Sequence, residues 1–503
     1  MRFAASALVA GMLAGCATLE APFRGHLDSA AAPVRSCAEW YRAIDAEIES
    51  AGTRDAQEAR IAGFPYLRAN RLLAALRPAA EADREALREL VERLAEADLA
   101  ARRMELANLP EERLRALPDL GAAGVRGEAN ARTRECAGVL RELDLASAEA
   151  RALLLDRARV PDDYSTALRI LGLYALTRLP FAAGVRRWEQ ERLEAFRREP
   201  RAPEGSSLVR YAPPSTPRVE RAEVARILEH AAHNALRIAE PAAEELERLF
   251  AAHAPSFEIE VAGRHDRFGR LRWLHGAAMP VVDDAEPVVY TRLAHTLYRG
   301  QVLLQLVYTI WFPERPPREP GDILAGRLDG LVWRATLAPD GEPLLFDSIH
   351  PCGCFHAFFP TPRARPRPAP DALEEWAFVP QTLPRLRPGE RPLLRVASGT
   401  HYIESVSVVS GADSVARYAF RAEDELRSLE RLEGGRRSAF GPDGLIAGSE
   451  RPERFLFWPM GIASPGAMRQ WGRHATAFVG RRHFDDADLI EKRFALDLGE
   501  DSR

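Results

Sequence analysis

The sequence predicts an α+β protein: an N-terminal all-helical domain, then a domain with an antiparallel β-sheet and C-terminal helices. Three observations point there. Apolar residues recur every three or four positions through the first part of the chain. From Ser256 the spacing becomes alternating, as in half-buried strands. Between the two regimes lies a run rich in proline, the usual composition of a connector.

The helices are read in order. Ala38 to Ser50, Tyr66 to Leu76, Glu81 to Ala107 and Ala129 to Arg157 carry the helical period, and Leu87, Leu90, Val91, Leu94 and Leu99 form the clearest stripe. Tyr164 to Val185 is the most apolar stretch of this half. Arg169, Arg178 and Pro180 interrupt it, so it reads as a buried core helix, with a helix lying on a membrane surface as the alternative. Glu199 to Arg218, with six prolines and glycines, reads as a linker. Thr216-Pro217 then caps a helix reaching about Ala239, and a second runs from Pro241 to about Ala252.

The strands follow. Phe257 to Val261 is the first, and Val288 to Leu297 with Val302 to Phe312 form a hairpin around Arg299-Gly300. A second hairpin joins Leu331–Ala338 to Pro343–His350, and a third joins Leu393–Ser398 to Tyr402–Val409 around Gly399. Ser464-Pro465 opens a helix to about Val479, and Asp486 to Phe494 is the last. The division expected is 1–15 signal peptide, 16–35 tether, 36–198 helical domain, 199–218 linker, 219–252 helical connector and 253–503 α+β domain.

Composition narrows the function. The net charge is −4 over 503 residues, so no basic field invites nucleic acid. Lys492 is the sole lysine, and arginine carries the remaining positive charge.

The opening residues have the order of an export signal. Arg2 supplies a positive start, Phe3 to Leu13 are apolar, and small residues follow. Eleven or so apolar residues make a helix of about 16 Å, too short for a hydrocarbon core of about 30 Å. The segment ends Leu13-Ala14-Gly15-Cys16, which resembles the lipobox of bacterial lipoproteins. That resemblance, confined to these residues, implies cleavage before Cys16, lipidation of its thiol and anchoring in a lipid bilayer. Ala17, where an aspartate would retain the chain, implies the outer membrane, with the mature chain facing the periplasm.

Export places the remaining cysteines in an oxidising compartment. Of Cys37, Cys136, Cys352 and Cys354, the economical pairing is Cys37 with Cys136, leaving Cys352 near Cys354.

The segment Asp347-Ser-Ile-His-Pro-Cys-Gly-Cys-Phe-His356 holds the main candidate chemistry. His350, Cys352, Cys354 and His356 are the ligand types of a zinc site, at alternate positions. On a straight strand the outer two would stand about 20 Å apart, so one ion needs the chain to fold back at Pro351 and Gly353. Three readings stand open: a zinc-type site, hydrolytic in function, with His401 or His295 lending a ligand; a strained, redox-active Cys352–Cys354 disulfide, whose hydrolytic variant uses Cys354 as nucleophile beside His356 or His401; and ordinary packing. The corresponding functions are an envelope enzyme or a non-catalytic, partner-binding lipoprotein.

Other candidates are weaker. His230 and His233, one helical turn apart, lack the glutamate of a zinc-protease motif. Ser464-Pro465 with Arg469, Arg473, Arg481 and Arg482 suggests an anion site at a helix start, against simple packing. Arg363, Arg365 and Arg367 read as a solvated loop.

Overall fold

The computed structural model describes residues 20–118, 120–121, 125–198, 205–214, 219–371, 373–410 and 416–499. Cys16 and the expected signal segment lie outside the described residues. The fold is α+β, with helices concentrated before residue 198 and antiparallel and mixed sheets after it.

Three long helices, Ala32–Ala51, Arg84–Asn108 and Val125–Ala146, build the first core. Asp83 caps the second by accepting from the Ala86 amide, which sets its start. Ser147 ends the continuous helix expected to reach Arg157 by capping a separate one, Ala148–Arg157. Trp40, Tyr41, Leu94 and Leu140 are buried between the helices, and Cys37 is joined to Cys136 by a disulfide.

The first half of the helix expected from Tyr66 to Leu76 is instead a strand. Phe64–Ala69 pairs with Ala59–Ile61, and a short helix, Arg71–Ala75, follows it. The alternation in Phe64-Pro-Tyr-Leu-Arg-Ala sends Arg68 inward, where it bonds Asp98 at 2.9 Å and Glu105 at 2.8 Å. That buried ion pair is a tertiary bond, and it outweighs the local helical period.

The six-stranded sheet runs in the order Ala357–Pro360, Pro343–Ile349, Gly326–Leu337, Gln301–Arg315, Val288–Tyr298, Ala419–Ala422. All pairings are antiparallel except the last. A second, mixed sheet of five strands is ordered Ile403–Ser410, Glu390–Val396, Ser256–Val261, Ser207–Ala212, Ala416–Arg417. Phe257, Ile259, Leu394 and Val396 from the second sheet share a core with Tyr308, Phe312, Trp333 and Phe346 from the first. Ser207–Ala212 falls in the expected linker. Its short alternation between prolines pairs with Ser256–Val261, so the connector is part of the sheet.

Two expectations for helices fail in instructive ways. Tyr164 to Val185 is not a core helix: it forms Thr166–Leu171 and Tyr174–Arg197, and the longer helix buries only Ala182. Ser464 to Val479 is not helical, so no helix start is available there for an anion. Its arginines pack instead. Arg469 donates to the carbonyls of Cys352, Ala463 and Ser464, and Arg482 to that of Trp376. Arg363 is likewise buried, bonded to Asp340, Glu342 and the Asp497 carbonyl, because Ala364–Pro366 is a strand paired with Phe494–Leu496. His230 closes the helix Arg221–Ala231 and His233 lies beyond it, both exposed. The expected cap at Thr216-Pro217 lies outside the described residues.

Candidate functional site

Strand Pro343–Ile349 leaves the six-stranded sheet at His350, turns, and returns as Ala357–Pro360. The turn is closed by the Gly353 amide donating to the His350 carbonyl at 2.8 Å and the His350 amide to the Cys354 carbonyl at 3.0 Å. Gly353 has φ +91°, and a Cβ there would lie 2.3 Å from the Ala475 carbonyl oxygen. Only glycine fits.

The turn does fold the chain back, yet it sends the four ligand-type side chains to three places. His350 Nδ1 lies 3.1 Å from Asp329. His356 Nε2 lies 3.0 Å from Asp347, which also holds Arg334. Cys352 and Cys354, both free thiols, remain together and line a cavity. Of the proposed helpers, His401 Nδ1 is 2.9 Å from Asp329, and His295 Nε2 is 2.7 Å from the Ala239 carbonyl. Among the described residues, no group of three or more His, Cys, Asp or Glu side chains is arranged to hold a metal ion. The zinc set therefore has two of its four members side by side.

Behind the turn runs a chain of buried acids and imidazoles. Asp266 stands 3.5 Å from His401 Nε2, and Asp329 joins His401 to His350 and, at 3.2 Å, to Arg451. Burial alone would raise the Asp329 carboxyl, but His350 and Arg451 hold it well below the usual carboxylate range. Burial alone would lower His401, but Asp266 and Asp329 outweigh it and hold the imidazole above its ordinary value. His350 goes the other way: burial, with the charge of Arg315, lowers it despite Asp329. His401 stacks on Phe312, with the ring centroids 3.9 Å apart.

Arg451 connects this chain to the thiols. Burial opposes a Cys352 thiolate, but a hydrogen bond from Cys354 and the Arg451 charge bring the thiol below its ordinary value. The same hydrogen bond, with burial, pushes Cys354 well above. The two thiols are thus shifted in opposite directions by one contact. Cys352 is buried, whereas Cys354 is half-buried.

The cavity they line has a volume of about 440 Å³ and mostly apolar walls, including Phe181, Trp188, Phe378, Phe457 and Phe478. Its polar groups are few: the thiols, Glu189, Glu375, Glu453, His356, Thr476 and Arg482. Glu375 accepts from the Phe478 and Val479 amides. Burial and the charge of Arg482 push His356 down to about 3 despite its bond to Asp347, so it stays neutral at physiological pH. Glu453 is 2% exposed, and burial raises its carboxyl to about 7 against the pull of Arg451 and Arg315. A carboxyl poised there takes up and releases protons near neutral pH.

That shift has a sign that can be tested. The folded value lies above the unfolded one, so the folded chain binds the extra proton, and stability falls as pH rises through the window from 4.5 to about 7. Glu453→Gln is expected to flatten that slope, match the parent near pH 4 and exceed it at pH 8 by about 3 kcal/mol. Urea melts of both proteins at the two pH values check this; equal slopes would show that Glu453 is not held protonated.

Backbone strain gathers around the same place. Among the described residues seven non-glycine residues have positive φ, and four of them flank the site: Leu328 beside Asp329, Phe355 beside Cys354, His401 itself, and Ser464 beside the cavity. Each costs on the order of 1–3 kcal/mol and persists where surrounding contacts impose it.

Sequence reasoning found the thiols, His350, His356 and His401, and missed Asp266, Asp329, Arg451 and Glu453. Asp329-Gly330 looks like a turn, and Arg451-Pro-Glu453 like a solvated loop, so no local signal marks them. No family model, curated protein or solved structure matches the chain, and the chemistry is read from its own residues.

Proposed function

We propose that this chain is a lipid-anchored envelope protein whose working centre is the Cys352–Cys354 dithiol in the apolar cavity, acting as a redox pair. The observation that carries the reading is the pair itself: two free thiols side by side, both lining an apolar cavity, on a turn only glycine permits. The lipobox-like start supports the address, an oxidising compartment in which such a pair has acceptors.

The reaction balances as thiol–disulfide exchange. A disulfide carried by a protein or small molecule takes two electrons from the pair. Cys352 and Cys354 become joined, and the acceptor leaves as two thiols. Glu453 is the carboxyl that holds the Cys354 proton in transit. Arg451, kept in place by Asp329, favours the attacking thiolate and acts as a positioning residue.

The test is mass measurement of the 350–356 peptide after incubation with glutathione disulfide, then with dithiothreitol. The expected result is loss of two hydrogens and their return, abolished by Cys354→Ser. Thiols that stay free under excess oxidant would overturn the reading. So would stoichiometric zinc, lost on replacing either cysteine, which would make the thiols ligands.

A further inference from the structure

We propose that the face formed by Thr166–Leu171, the start of Tyr174–Arg197 and the segment 454–460 docks on an anionic phospholipid surface, with the cavity opening beneath it. The proposal stands apart from the thiol reading and from acylation of Cys16.

Twelve large apolar residues are exposed among the described residues, and eight of them lie on this face. Ile170, Leu171, Leu173, Leu176 and Leu179 come from the first two helices, with Leu171 73% exposed. Phe455, Leu456 and Trp458 come from the other segment. The two segments pack on each other: Arg169 Nε donates to the Met460 carbonyl at 2.8 Å, and the Phe181 and Phe457 rings stand 5.2 Å apart. A cluster of this kind marks an interaction surface, whereas scattered exposed leucines do not.

Charge selects the occupant. Residues 164–188 contain Arg169, Arg178, Arg186 and Arg187 and no acidic residue. Of these Arg169 is buried; in residues 454–484 Arg469 and Arg482 are also buried and Arg473 and Arg481 pair with Asp163 and Asp162, so the face presents Arg178, Arg186, Arg187 and Arg454, in a chain whose net charge is −4. On the helix Tyr174–Arg197 the stripe Leu176, Leu179, Ala183 runs at three- and four-residue spacing into the exposed Arg186 and Arg187. Aliphatic side chains followed by arginines, with a tryptophan at the edge, match the order of acyl chain, headgroup and interface. Pro180, Phe181, Val185 and Phe457 belong to these segments and also line the cavity, so the apolar surface continues inward.

The experiment uses the chain as purified, on vesicles of phosphatidylglycerol and phosphatidylethanolamine with brominated acyl chains. Tryptophan emission is expected to be quenched, and Trp458→Phe is expected to remove a component of that quenching. Leu171→Glu with Leu176→Glu should weaken docking about a hundredfold, tenfold for each leucine kept from the apolar phase. The thermal melt should be unchanged, because both positions are solvent-exposed. Quenching should fall on phosphatidylcholine vesicles. An acylated chain stays on the vesicle in every variant, so the readout reports the face and not the anchor. Quenching indifferent to Trp458 or to both leucines would overturn the proposal, as would equal quenching on neutral vesicles. A concentration-dependent dimer in the absence of vesicles, lost in the leucine variants, would assign the face to a second copy instead.

Discussion

Asp329→Asn is expected to destabilise the chain by about 3–5 kcal/mol, the usual loss when one partner of a buried ion pair is removed. The carboxylate is fully buried and contacts His350, His401 and Arg451 at 3.1, 2.9 and 3.2 Å. The amide keeps the shape and removes the charge, leaving the Arg451 guanidinium and the raised His401 without their counter-ion. Urea midpoints at pH 7 measure the loss. The pH profile gives a second check. The Asp329 carboxyl lies well below its ordinary value of 3.8, so its contribution is present above that value and is lost as pH falls through the folded one. The parent should therefore lose stability toward acid more steeply than the variant. Parallel profiles would show that the carboxylate is not held ionised. The variant should also slow oxidation of the thiols, since Arg451 would no longer be oriented toward them.

Breaking the Cys37–Cys136 bridge should cost at least as much. It ties residues 99 apart, and a loop of that length corresponds to about 4–5 kcal/mol in the chain-entropy model. Paired serine substitution is expected to lower the urea midpoint of the helical part. Both sulfurs are buried, Cys37 at 1% and Cys136 at 0% exposure. Dithiothreitol at native pH should therefore leave the bridge intact until the helices open, while acting at once on an oxidised Cys352–Cys354 pair. A parent whose two disulfides are reduced at the same rate would contradict that contrast.

The differing access of the two cysteine pairs shows how far sequence reaches. Economy suggested the partner of Cys37, because both cysteines lie in the helical half, and in the structure both are buried in its core. The α+β class, the three hairpins and the long helix at Arg84–Asn108 were legible because burial of one face writes its period into the chain. The Arg299-Gly300 turn is marked by its residues, and both take positive φ as the hairpin requires.

Where a tertiary contact decides, the period misleads. Arg68 pulls Phe64–Ala69 into a strand through Asp98 and Glu105, thirty and more residues away. The stretch from Tyr164 to Val185 is apolar enough for a core, yet its leucines face outward beside Phe455 and Leu456, which nothing local predicts. The Cys-Gly-Cys run likewise marked the thiols as candidates, but not that His350 and His356 bond to carboxylates instead of joining the thiols in a metal site. Asp329 and Asp347 claim those imidazoles, because a buried imidazole needs a hydrogen-bond partner. By itself the sequence determined the class of fold, and it offered the Cys37–Cys136 pairing and a bend at Pro351 and Gly353 as expectations. Only the tertiary structure decided that Arg451 and Glu453 stand beside them. Charges distant in the chain gain their effect by being brought together where water is excluded, and no local pattern encodes that meeting.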